Sequence, residues 1–145
     1  KDTIEWKDHP FARIYSTLLN LKATNHALWN GKEGGAMIRV PTSHDNAIFA
    51  FTRERDEDKI LVILNLSPKK QTFTLHGRSA EGHYKDVFNS MTLQDTTEAQ
   101  IYYDDFVGDM VGAQTIQTVL LRKVEKISAN QRLTLEAWGY KVLVK

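Results

Sequence analysis

The chain of 145 residues contains no cysteine, and this absence excludes disulfide bonds, thiolate metal sites and cysteine nucleophiles. The sequence also lacks an excess of either positive or negative charge. The formal net charge is +1 and lysine and arginine are scattered, so neither nucleic acid nor an anionic membrane is expected as a partner. No apolar run is long enough to predict a membrane span. The opening KDTIEWKDHP lacks the basic head and apolar core of a signal peptide.

The length suits one domain, or one domain with a fragment of another, and the pattern changes once, near Gly31. Before that point, apolar residues recur at spacings of three and four from Phe11 to Leu21, which predicts an amphipathic helix. Pro10 suits its first turn. We expect the helix to fade around residues 24–26, and Gly31 with Gly34 and Gly35 to end the segment.

After Gly35 the chain is a series of short strand patterns separated by turn signals, which predicts an antiparallel sandwich or barrel. The segment Gln114–Ile127 has helical spacing but is rich in β-branched residues, and we favour a strand there. The other predicted strands are Met37–Val40, Ala47–Thr52, Lys59–Leu66, Gln71–Leu75, Tyr84–Phe88, Ile101–Tyr103, Arg132–Leu135 and Tyr140–Val144.

Two of these strands are apolar on both faces and flank a charged block, RERDEDK, which predicts a hairpin with its tip in water. We expect Val62 and Leu64 to be buried on one face of the second strand, and Leu61 and Ile63 on the other. Since a two-layer sandwich buries only one face of each strand, the second face needs a third layer. The helix can supply part of that layer, and the rest implies a partner absent from this chain.

Four stretches occur in an order that resembles the C-terminal end of an alpha-amylase of glycoside hydrolase family 13. They are FARIYSTLLNLKATNHALWNG, AIFAFTRERDEDKILVILNLS, GHYKDVF and LTLEAWGYKVL. Lys22 stands where the family usually has Arg, and His26 where it usually has Pro. The resemblance implies an all-β, Greek-key sandwich of the domain C type at residues 36–145. Residues 1–31 would be the last helix of a truncated (β/α)8 catalytic barrel, and that barrel would be the missing partner.

The resemblance also implies that the catalytic carboxylates lie on barrel strands upstream of this helix. The nucleophile motif G-x-R-x-D has no match here, so no catalytic residue is predicted. One stretch, Ser43-His44-Asp45-Asn46, resembles a transition-state motif of the family. We interpret it as a turn, because Ser, Asp and Asn favour turns. The five histidines are scattered, and Asp104, Asp105 and Asp109 have the spacing of a solvated loop. No metal site and no cofactor are therefore predicted.

Two groups of residues remain as candidates for binding. Exposed aromatic rings can stack on sugars, but aromatic side chains more often serve packing, and we favour packing for Trp138 and Tyr140. The exposed helix face could also bind a second copy of the chain. The barrel-interface candidates are Trp6, Phe11, Ile14, Tyr15, Leu18 and Trp29. The carbohydrate-stacking candidates are Tyr102, Tyr103, Phe106, Trp138 and Tyr140.

The leading hypothesis is therefore a non-catalytic C-terminal domain of an enzyme acting on starch or related alpha-glucans, which stabilises and covers the barrel. One alternative is a carbohydrate-binding module that holds polysaccharide near a catalytic domain. Another is a protein-interaction sandwich unrelated to sugar. An exposed row of aromatic rings would favour carbohydrate binding, whereas a broad apolar patch beside the helix would favour the structural role. Relatives are often secreted, periplasmic or on the cell surface, and the residues leave the compartment open.

Overall fold

A computed structural model describes residues 11–91 and 121–145. It begins with the predicted helix, α1, at Phe11–Thr24. The hydroxyl groups of Thr17 and Thr24 donate to the carbonyl oxygens four residues earlier, at 2.8 and 3.0 Å, so polar side chains on this short helix bond to its own backbone. Two 3-10 turns, His26–Leu28 and Gly31–Glu33, then lead to the sheets. Gly31 has a φ of +60°, a conformation that glycine adopts without steric cost.

Eight strands follow within the described residues, and every pairing among these strands is antiparallel. Six form one sheet in the order β1-β2-β3-β8-β5-β6, while β4 and β7 form a second sheet of two strands. The last strand inserts between β3 and β5, which is the non-sequential order that Greek-key connections produce. The strands are β1 Ile38–Arg39, β2 Ile48–Arg55, β3 Asp58–Asn65, β4 Gln71–Thr74, β5 Gly82–Met91, β6 Leu121–Ile127, β7 Arg132–Leu135 and β8 Tyr140–Val144.

The predicted hairpin is confirmed. Strands β2 and β3 pair over their whole length, from Ile48 opposite Asn65 to Arg55 opposite Asp58. Only two residues close the turn, and the first of them, Asp56, has a φ of +54°. Tight hairpin turns need such left-handed positions, and Asp accepts them better than most residues. The charged block is therefore the hairpin tip.

The main core lies between the two sheets, as the sandwich prediction requires. Leu61 and Ile63 point into it and are fully buried. Val62 and Leu64, on the opposite face of β3, are only half-buried, so the prediction that both are buried is wrong. The reason is that α1 covers their face incompletely. The core residues are Val40, Ile48, Ala50, Leu61, Ile63, Phe73, Leu75, Ala80, Tyr84, Ile127, Leu135 and Leu143.

Strand β5 is irregular in its middle. Its register with β6 shifts between Lys85 and Ser90, and the carboxylate of Asp86 accepts a hydrogen bond from the Phe88 backbone N–H at 3.0 Å inside this bulge. The Phe88 ring lies edge-on to Tyr140, with 5.4 Å between the ring centroids. The predicted strand Ile101–Tyr103 and residues 114–120 lie outside the described residues, while the favoured strand is present from Leu121 onward.

Candidate functional site

An apolar groove of about 400 Å³ separates α1 from the outer face of the six-stranded sheet. One wall is helix, the floor is β3 and β8, and Phe88 closes the far side. Apart from the Tyr140 hydroxyl, no side chain lining the groove carries a hydrogen-bonding group. The lining residues are Ile14, Leu18, Leu21, Leu28, Ile60, Val62, Leu64, Phe88, Tyr140 and Val142.

The register of the sheet explains this floor. Val62 lies opposite Val142 and Leu64 opposite Tyr140 in the β3–β8 pair, so their side chains share one face. That face is apolar along both strands, and the helix reaches only part of it. The second apolar face predicted from the sequence is therefore real, and its cover is incomplete within the described part of the chain.

The helix divides the predicted interface residues into two groups. Ile14 and Leu18 line the groove, whereas Phe11 and Tyr15 lie outside it and are 57% and 65% exposed. Trp29, just after the helix, is also exposed. Trp6 lies outside the described residues. No residue of α1 is buried, so the helix presents apolar side chains on the groove side and beyond it.

The segment after the helix is clamped to the hairpin by Arg53, a residue that the sequence did not single out. Its Nε donates to the Gly35 carbonyl oxygen at 2.8 Å and its Nη2 donates to that of Trp29 at 2.9 Å. Gly35 lies so close to the backbone of Glu54 that a side chain there would collide with it. Ala27 is fully buried. These contacts hold the linker against β2.

A second set of contacts joins the linker to the hairpin tip. The backbone N–H of His26 donates to Asp58 Oδ2 at 2.7 Å, and its Nδ1 lies 3.5 Å from Asp56 Oδ2. The imidazole packs against the Trp29 indole with centroids 4.3 Å apart. The charged hairpin tip therefore contacts protein as well as solvent, because the carboxylates of Asp56 and Asp58 lie against the 3-10 segment that contains His26.

Of the carbohydrate-stacking candidates, Trp138 and Tyr140 are described and both are exposed, by 64% and 46%. Tyr140 belongs to the groove, where Phe88 contacts its ring. Trp138 stands apart in the turn before β8, with a φ of +56°. Tyr102, Tyr103 and Phe106 lie outside the described residues. The structure therefore shows one exposed indole and one ring built into the groove.

Asn65 is a second structurally important residue that the sequence did not single out. Its position at the end of the apolar strand is the one feature that could have indicated it. It is 2% exposed, and its Nδ2 donates to the carbonyl oxygens of Lys69 and Glu136 at 2.7 Å each. Its Oδ1 accepts from the backbone N–H and the hydroxyl of Ser67. This buried amide joins the turn after β3 to the turn before β8.

The pKa values of Asp45 and Tyr84 are shifted by the structural contacts of these side chains. The pKa of Asp45 is lowered, first by the hydrogen bond from the Thr42 hydroxyl and also by the charge of Arg39. These contacts lie in the turn that Ser43-His44-Asp45-Asn46 was predicted to form. Burial, with a smaller effect of Glu54, raises the pKa of Tyr84 to about 12.

Within residues 11–91 and 121–145 no three His, Asp or Glu side chains are grouped to hold a metal ion.

The family comparison decides the type of fold. Residues 38–103 match the profile of the family described as Maltogenic Amylase, C-terminal domain. The sandwich is of the alpha-amylase domain C type. No helix in the described ranges has the length and apolar character to cross a membrane.

The chain also has a relative among solved structures. The chain is similar to a noncanonic maltogenic alpha-amylase, AmyB, from Thermotoga neapolitana, with a TM-score of 0.59 and 14% sequence identity. The similarity covers 98% of this chain and 27% of that one, so this chain spans about a quarter of that relative's length. At this identity the likeness concerns the fold. No curated protein matches the chain.

Proposed function

We propose that this chain is the non-catalytic C-terminal part of a maltogenic amylase-type glycoside hydrolase acting on starch or related alpha-glucans. In this proposal residues 1–31 are the end of the catalytic (β/α)8 barrel and residues 36–145 are domain C. The domain covers and stabilises an apolar surface of the barrel. The observation that carries the proposal is the groove between α1 and the sheet, which continues into the exposed apolar side of the helix.

The dimensions support a missing layer. Six strands about 4.8 Å apart span roughly 24 Å, whereas one helix covers about 10 Å. Soluble monomers seldom leave a large contiguous apolar patch in water. The groove offers almost no hydrogen-bonding group, so apolar side chains of a protein suit it far better than a hydroxyl-rich substrate. A neighbouring apolar element is therefore the occupant we propose.

The chemistry of the described residues supports a non-catalytic role. Glycoside hydrolysis generally needs two carboxylic acids flanking the scissile bond, one of them with a raised pKa to act as general acid. Asp45 is a carboxyl group with an altered pKa, and that pKa is lowered. A lowered pKa removes the proton that a general acid must donate. The parent enzyme would take its catalytic acids from the barrel.

The test is association with a separately produced maltogenic amylase barrel, measured by calorimetry. The double variant Ile14→Ser/Leu18→Ser removes two apolar groove residues, so we expect binding to weaken by about tenfold or more. The matched control, Ala12→Ser/Asn20→Ser, changes two exposed positions of the same helix. We expect the control to bind like the unmodified chain.

The stability of the double variant tests the proposed division near Gly31. If the sandwich is stable without the helix, unfolding stays cooperative and the loss is modest, about 1–2 kcal/mol for two half-exposed side chains. Unchanged association would contradict the docking proposal. Loss of all cooperative unfolding would show that α1 belongs to the core of domain C, and would overturn the division.

A second candidate function, carbohydrate binding, is favoured by a separate observation. Trp138 is exposed in a turn that lies outside the groove lining. A sugar-binding role at this position is compatible with barrel covering, because the two roles use different residues.

A further inference from the structure

Trp138 occupies a position that is unfavourable for tryptophan in two ways. Its φ of +56° is left-handed, a conformation that costs energy for every residue with a Cβ. Its side chain is also left largely in water. Glycine would form the same turn without either cost. Costly backbone conformations persist where the surrounding structure enforces them, and they concentrate at functional sites.

The surrounding structure does enforce this turn. The Trp138 N–H donates to the Ser67 carbonyl oxygen at 3.1 Å, and the Asn65 N–H donates to that of Gly139 at 2.8 Å. The buried side chain of Asn65 also holds the carbonyl oxygen of Glu136. The backbone on both sides of the indole is thus tied to the turn after β3. A ring on such a rigid base loses little conformational freedom when it binds a ligand.

The indole itself is available. Within the described part of the chain, no aromatic ring and no cation stacks on Trp138, and its Nε1–H makes no hydrogen bond. Trp29 differs on both points, because His26 packs on its ring and its Nε1 donates to the Ala23 carbonyl oxygen at 3.4 Å. Trp138 therefore presents both a free ring surface and a free donor.

The neighbourhood of the ring favours a hydroxylated ligand over a protein surface. Glu136, two residues before Trp138, forms an exposed ion pair with Lys70. These charged groups give the indole a polar, hydrated surround, whereas the groove beside the helix is apolar. A pyranose ring combines an apolar C–H face with hydroxyl groups around its edge, so it matches an indole face with a polar surround.

We infer that Trp138 is a stacking platform for a pyranose ring of an alpha-glucan. The choice of alpha-linked glucose rests on the proposed function. The ring face stacks on the sugar, and Nε1–H is placed to donate to a sugar hydroxyl. The site lies outside the groove lining, so it lets domain C contact polysaccharide while the groove is occupied.

The test uses the fluorescence of the complete 145-residue chain. In the variant Trp6→Phe/Trp29→Phe, Trp138 is the only tryptophan. We expect a saturable change of its emission with maltoheptaose and with β-cyclodextrin, and no change with the β-linked cellohexaose at equal concentration. Calorimetry with maltoheptaose then compares the unmodified chain with Trp138→Gly. We expect binding at least about tenfold weaker in Trp138→Gly.

The same glycine variant separates a binding role from a packing role. Because glycine accepts the left-handed turn, we expect its unfolding midpoint to equal or exceed that of the unmodified chain. A clear drop in the midpoint, undiminished binding of maltoheptaose, or no binding by the unmodified chain would overturn the inference. Weaker association of Trp138→Gly with the barrel would also overturn it, since Trp138 would then be an interface residue. Failure to bind sugar with intact barrel association leaves the proposed function standing.

Discussion

The Nη2 atom of Arg53 donates a hydrogen bond to the carbonyl oxygen of Trp29 at 2.9 Å, across 24 residues of chain. The same guanidinium donates through Nε to Gly35. One side chain of β2 thereby holds both ends of the linker that follows the helix. The linker between α1 and the sheet is therefore fixed to the hairpin at two points.

Replacing Arg53 by Ala should destabilise the chain by about 2–3 kcal/mol. Hydrogen bonds from a charged group contribute roughly 1.5–3 kcal/mol each, and exposed backbone oxygens recover part of that loss from water. Denaturant unfolding followed by circular dichroism measures the change. The control is Arg55→Ala in the same hairpin, whose nearest carboxylate, that of the adjacent Asp56, lies 3.9 Å away in water.

The exposed pair of Arg55 and Asp56 should contribute less than about 0.5 kcal/mol to the free energy of unfolding. Equal losses of stability in Arg53→Ala and Arg55→Ala would show that the hydrogen bonds of Arg53 do not stabilise the fold.

Replacing Asn65 by Asp should cost about 3 kcal/mol or more. The carboxylate cannot donate to the carbonyl oxygens of Lys69 and Glu136, and the change places a charge where the residue is almost completely buried. The thermal unfolding midpoint measures the loss. Asn46→Asp, in an exposed turn, is the control and should leave the midpoint nearly unchanged. A midpoint for Asn65→Asp close to that of the control would refute a structural role for this amide.

Tyr84 should make the chain sensitive to alkali. Its pKa rises from 10.0 to about 12 on folding, so its stabilising effect is complete below pH 10 and is lost as the pH rises through 12. Two pKa units correspond to about 2–3 kcal/mol. Tyr84→Phe should remove this part of the alkaline loss, at small cost near neutrality because the hydroxyl bond to Glu81 is long, at 3.4 Å.

The measurement is the free energy of unfolding between pH 8 and pH 11.5 for the unmodified chain, Tyr84→Phe and the exposed control Tyr15→Phe. The control should keep the full alkaline loss. Parallel curves for all three proteins would argue against ionisation of Tyr84 as the cause.

The purified chain alone should release no reducing sugar from soluble starch. The reason is the lack of the G-x-R-x-D nucleophile motif in the sequence. Reducing ends are measured over a range of chain concentrations, with heat-denatured chain as the blank. Release that scales with concentration and is lost on denaturation would show that the chain carries its own catalytic residues.

Local pattern alone predicted much of the secondary structure. The strands Arg132–Leu135 and Tyr140–Val144 have the predicted bounds, and α1 occupies Phe11–Thr24, where the helical spacing was found. Helical spacing and glycine in turns act over a few residues, so the sequence by itself determines them. The two apolar faces of the hairpin were visible for the same reason, because strand side chains alternate between faces.

Tertiary structure decided what local pattern does not encode. That β8 lies between β3 and β5, so that Tyr140 faces the groove, follows from pairing across some 75 residues. The half-burial of Val62 and Leu64 depends on where one narrow helix lies on a wide sheet. The clamp by Arg53 and the strained turn at Trp138 depend on partners far away in sequence. Such contacts form only when the whole chain packs, because the free energy that enforces them comes from the assembled core and not from the residues beside them.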